Sequence, residues 1–136
     1  MKLFSYKLSK SAQHIGLLLL RLTFGGIMIP AHGYKKIANF NAMKHEFIQF
    51  MGMSSTLSLS LAIFAEFVCA FLVVIGLMTR WAAIPLIVVM LVALQSHAWE
   101  IIGKYELPFV LCMSYLIILI MGPGKYSLDY LINKKR

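Results

Sequence analysis

Four long apolar runs dominate the chain, at roughly 15–34, 57–78, 81–98 and 105–122. Each approaches the ~20 residues that a ~30 Å hydrocarbon core requires. Backbone groups in lipid must be satisfied within their own segment, so runs this long and unbroken predict helices, and they lack the alternating ~10-residue segments of a membrane β-barrel. The predicted fold is all-α: an integral membrane four-helix bundle forming a single domain over 1–136. Pro30 predicts a kink in the first helix, while Pro85 and Pro108 lie where neighbouring helices can cover a freed carbonyl. The stretch 38–56 is the one connection of any length. Its mixed pattern, with Phe40, Met43, Phe47, Ile48, Phe50 and Met51, predicts an amphipathic segment on the membrane surface whose aromatics are lipid anchors rather than a binding box.

The first run follows a tail carrying Lys2, Lys7 and Lys10, as a secretory signal would. Arg21 lies inside the would-be signal core and no small-residue cleavage site follows before His32, so this run reads as a retained first helix. Orientation follows from the distribution of Lys and Arg. With four spans both tails share a side, and that side carries eight Lys and Arg, in the two tails and at Arg80. The opposite side carries four, Lys35, Lys36, Lys44 and Lys104. The tails and the Thr79–Arg80 turn are therefore expected in the cytoplasm, and the long first loop outside.

Composition adds limits. With 136 residues, 60% hydrophobic and 13% charged, the chain suits the plasma (inner) membrane of a bacterium as a multi-pass protein, and any site must be built from helices and short loops. The net charge of +8 sits in tails and loops beside apolar runs, a placement that serves topology and lipid headgroups rather than nucleic acid. Cys69 and Cys112 lie in separate apolar runs without a CxxC, as small buried apolar residues do.

Two ionisable residues fall deep within the runs, Arg21 in the first and Glu66 in the second. Either alone in lipid costs several kcal/mol, so the two are expected to pair. Such a pair is either a structural tie between antiparallel helices or a charged site for a polar ligand or proton, and the sequence does not separate these. Arg21, Gly25, Met28 and His32 recur at helical steps and predict one inward face, with Gly25 and Gly26 permitting close helix approach. At the outer boundary the topology gathers His32, Tyr34, His97, Glu100 and Glu106. Each alone reads as a solvated interfacial side chain; converging, they could relay protons or hydrogen-bond a quinone headgroup. No HxxxH or ExxH spacing fixes ligands, so no metal centre is expected.

The combination of Arg21, AHGYKKIANF (31–40), Glu66, GLMTRWAA (76–83), His97 with Glu106, and GPGKYSLDYLI (122–132) resembles the DoxX family over nearly the whole chain. The resemblance implies a four-helix membrane protein. Relatives in that family include the small subunit of a thiosulfate:quinone oxidoreductase and a member linked to a membrane oxidoreductase complex with superoxide dismutase and a thiol-handling partner. It therefore implies a place near quinone or sulfur redox chemistry, with quinone and a partner oxidoreductase subunit as the expected partners beside the lipid bilayer, and with no covalently bound cofactor. The motif residues also have plain structural readings. Gly76 and Gly122 to Gly124 sit where helices end, and Ser127 and Asp129 are placed to cap a short final amphipathic helix. No nucleophile–base pair, phosphate loop or CxxC is present, which leaves stand-alone catalysis without reagents. The favoured expectation is an accessory or quinone-interacting membrane subunit. The alternatives are a small transporter using Arg21 and Glu66, or a structural assembly factor.

Overall fold

The computed structural model describes residues 6–99 and 101–135; Lys2, Glu100 and Arg136 lie outside the described residues. Among the described residues the regular structure is entirely helical. Helix α1 spans Lys10–Ala38, α2 is the single turn Phe40–Met43, α3 spans Ser55–Ile75, α4 Thr79–Ser96, α5 Glu106–Met121 and α6 Leu128–Lys134. Helices α1, α3 and α4 are long and apolar enough to cross a membrane, whereas α5, with 16 residues, is apolar but shorter. At 29 residues α1 exceeds its apolar run at both ends, because nothing in 10–14 or 35–38 breaks a helix.

Three stretches widen into π geometry: Arg21–Gly25 and Ile29–Tyr34 in α1, and Phe64–Cys69 in α3. The second begins one residue before Pro30, which has no N–H for the carbonyl four residues back, so the helix answers the expected kink with a wider turn. These stretches carry Arg21, His32 and Glu66, and π turns concentrate at functional positions.

The four long helices form a ring in which α1 packs on α3, α3 on α4, α4 chiefly on α5, and α5 returns to α1. Small residues set the α1–α3 seam. A Cβ on Gly25 would lie 2.8 Å from Val74 Cγ2, and one on Gly33 2.8 Å from the carbonyl oxygen of Glu66, whereas Gly26 faces open space. The phase change introduced by the π turns brings Gly33, not Gly26, to that seam. Tyr115 closes the ring by donating its hydroxyl to the Phe24 carbonyl at 3.0 Å. Met28, Leu86, Met90, Leu111 and Ile118 fill the interior together with Cys69 and Cys112, both free thiols in the apolar core.

Antiparallel register leaves one end incomplete. Gly25 lies opposite Val74, and Gly33 lies opposite Glu66. Continued at that register, α1 stops near the level of Ala62, so the first turns of α3 project beyond it. The connecting segment packs against these turns. The Phe50 N–H donates to Ser58 Oγ at 3.0 Å, and Thr56 Oγ1 donates to the Lys44 carbonyl at 3.1 Å.

Candidate functional site

At the end where α3 turns into α4, the family-like motifs interlock. Helix α3 closes with a Schellman motif: the Leu77 N–H donates to the Leu72 carbonyl at 3.0 Å and the Gly76 N–H to that of Val73 at 3.2 Å, with Gly76 at φ +74. The Val74 carbonyl, left over in that last turn, accepts from Arg21 Nη1 at 3.3 Å, while Arg21 Nη2 donates to the Tyr126 carbonyl. Arg21 is fully buried (0% exposed), and its Nε finds no partner among the described residues. A cation against the C-terminal carbonyls of α3 also complements the helix dipole.

Asp129 completes the clasp. Its Oδ1 accepts from the Met78 N–H at 2.8 Å, and its Oδ2 from the Thr79 N–H and Thr79 Oγ1, each at 2.9 Å. It therefore caps the start of α4, not the short final helix expected from sequence. Ser127 alone caps α6, accepting from the Tyr130 N–H at 3.2 Å.

The expected Arg21–Glu66 pair does not form. Glu66 bonds Lys36, with Nζ to Oε2 at 2.5 Å, and the two side chains are only 3% and 16% exposed. The cause is register. The Arg21 guanidinium is held at the level of Val74, eight residues along α3 from Glu66 and so roughly 12 Å away. Lys36, assigned to a loop by its sequence position, belongs to the last turn of α1 and follows Gly33 across the seam. Its place three residues after a close-approach glycine was the signal that could have revealed it.

Below the connecting segment lies a half-open cavity of about 510 Å³ between α3 and α4. Ala62, Ala65, Val89 and Ala93 form its wall, Phe47 and Phe50 roof it, and the Lys36–Glu66 pair stands at its inner end. Leu61, Phe64, Ile84 and Val88 line it too and are exposed on the outer surface of the bundle, so its mouth opens on the lipid-facing side. The amphipathic segment thus contributes wall residues, which corrects its reading as lipid anchors alone. Pro85 also lines the cavity, where it leaves the Trp81 carbonyl without its helical donor.

The outer polar group is dispersed. His32 is half-buried on α1, and Tyr34 is 60% exposed. His97, at the cavity rim, stacks on Tyr105 with ring centroids 3.7 Å apart. Glu106 Oε1 accepts from the Gly103 N–H at 3.0 Å, a local bond at the start of α5. Among the described residues no hydrogen bond or ion pair joins His32, Tyr34, His97 and Glu106, and no three His, Cys, Asp or Glu gather as metal ligands. Of the expected site, only His97 and Glu66 meet one cavity.

Comparison with known proteins agrees with this architecture. Residues 16–99, from the second turn of α1 through the end of α4, match the DoxX family model. Over 131 residues the chain is 30% identical to the inner membrane protein YqjF of Escherichia coli (strain K12), covering 93% of this chain and 98% of that protein. A 75-residue stretch is 36% identical to an uncharacterized protein of Haemophilus influenzae, covering 52% of this chain and half of that relative. No solved structure matches. The family model, the nearly full-length likeness to YqjF and three helices of membrane-crossing length agree: the chain is a multi-pass inner-membrane protein of bacteria and belongs to the DoxX family.

Proposed function

We propose that this protein is an accessory, redox-linked membrane subunit that crosses the bilayer four times with both termini in the cytoplasm and holds a quinone between α3 and α4. The observation that carries this reading is the half-open apolar cavity of about 510 Å³, with its lipid-facing mouth and a buried ion pair at its inner end. A molecule that lives in the bilayer reaches such a site laterally, and a cavity of this size with few polar groups suits a ring with a short length of isoprenoid tail. The residues around it offer binding rather than electron transfer, so electrons would pass through a partner oxidoreductase. The transporter reading relied on Arg21 and Glu66 lining one path. Arg21 instead bonds backbone carbonyls at the far end of α3, which weakens that reading. The test is lipid extraction of the purified protein followed by mass spectrometry. Quinone should accompany the wild type and be lost from Val89→Trp, which fills the cavity wall. Wild type free of quinone when purified from quinone-replete membranes would overturn the reading and leave assembly as the remaining role.

A further inference from the structure

Resting on that reading, we infer that the Lys36–Glu66 pair is the headgroup socket of the cavity and that it takes a neutral ring bearing a hydroxyl, a hydroquinone, in preference to a quinone or an anion. Both members have unused capacity. The Lys36 ammonium carries three donors and directs one of them to Glu66 Oε2, while Glu66 Oε1 accepts nothing among the described residues. Glu66 Oε1 is not among the sealed, unpartnered polar atoms of the interior, so it stays accessible, and the Lys36 side chain is 16% exposed. The cavity is where that access leads, because both residues line it.

The chemistry of the pair selects the ligand. A hydroxyl can donate to Glu66 Oε1 and accept from Lys36 Nζ at the same time, whereas a quinone carbonyl can make only the second bond. An anionic head would gain the ammonium but meet the adjoining carboxylate, and the pair as a whole is neutral. In an apolar surround, hydrogen bonds to charged partners are about twice as strong as neutral ones, so the extra bond of the hydroxyl carries weight. The socket is also held in place. Glu66 sits in the π stretch of α3, and Gly33 lets the two backbones touch at that residue, so Lys36 approaches from a fixed direction.

The experiment uses the full-length protein in lipid nanodiscs and three probes: a decyl-substituted benzoquinone, the same molecule kept reduced as its hydroquinone, and decanoate. The rise in denaturation midpoint across a concentration series reports apparent affinity. Wild type should rank hydroquinone about tenfold above quinone, with no response to decanoate. Glu66→Gln should lose that ranking. Because it leaves Lys36 uncompensated and could misfold, Lys36→Met with Glu66→Gln removes both charges together, and this double variant should bind both ring probes weakly and equally. A wild-type ranking retained by the double variant, or decanoate bound as tightly as hydroquinone, would overturn the socket while leaving quinone binding in the cavity intact. If wild type responds to neither ring, the quinone reading falls and the socket falls with it.

Discussion

At Gly76 the backbone has φ +74, and an added Cβ would lie 2.2 Å from Arg21 Nη1 and 2.5 Å from Ser127 Cβ. Two penalties coincide there, a left-handed conformation that side chains resist and a site already filled by the guanidinium. Gly76→Ala should therefore destabilise the protein by about 3 kcal/mol, read as a lowered denaturation midpoint in detergent. Gly26→Ala is the matched control: that position is helical and faces open space, so alanine should be neutral or add up to ~1 kcal/mol. Equal midpoints for the two variants would remove the clasp from the account of stability. Ala98 shows the converse. It holds φ +53 at the Schellman end of α4, where the Trp99 N–H donates to the Leu94 carbonyl at 2.9 Å, yet it carries the side chain that this conformation disfavours. Ala98→Gly should raise the midpoint, by about 1 kcal/mol of stability, and a fall would show that the Cβ packs usefully.

Between elements, the clasp joins four segments through two side chains, Arg21 from α1 and Asp129 from α6, which share no hydrogen bond or ion pair but both bind backbone groups at the α3–α4 turn. Asp129→Ala should cost about 1–2 kcal/mol as a lost helix cap. Combined with Arg21→Met, the loss should be less than additive, because either change frees the segment that carries Tyr126. A double-mutant cycle in detergent measures this coupling, and strict additivity would show two independent caps. The elements themselves were readable in advance, since long apolar runs leave few alternatives to helices. Register was not. Counting depth along each helix placed Arg21 and Glu66 both inside and invited a pair, but the packing of Gly25 and Gly33 slid α1 until Lys36 reached Glu66. No hydropathy pattern marks the π turns that change the phase of α1, so Gly26 was given the seam that Gly33 holds. The cavity was equally hidden, because it exists only where α1 stops short of α3 and a loop takes its place.

Across the whole molecule, the two ends of the bundle differ in how their positive charges are used. At the clasp end Lys7, Lys10, Arg80, Lys125, Lys134 and Lys135 stand exposed, and the acidic residue there, Asp129, is engaged with the start of α4. At the cavity end Lys36 is already neutralised by Glu66, which leaves Lys35, Lys44 and Lys104 to interact with a headgroup layer. Among the described residues the free positive charges thus stand six to three, the same two-to-one bias as the sequence count of eight to four, and cations in short loops favour the cytoplasmic side. A fluorescent protein that matures only in the cytoplasm should glow when fused after Lys135, and a reporter active only outside it should work when inserted at Gly103, in the exposed turn before α5. The opposite pair of results would turn the bundle over. The cavity mouth would then sit in the inner leaflet, beside partners on the cytoplasmic face rather than the outer one. The Lys36–Glu66 socket would keep its chemistry under either orientation, because its geometry is set by the α1–α3 seam and not by the membrane around it.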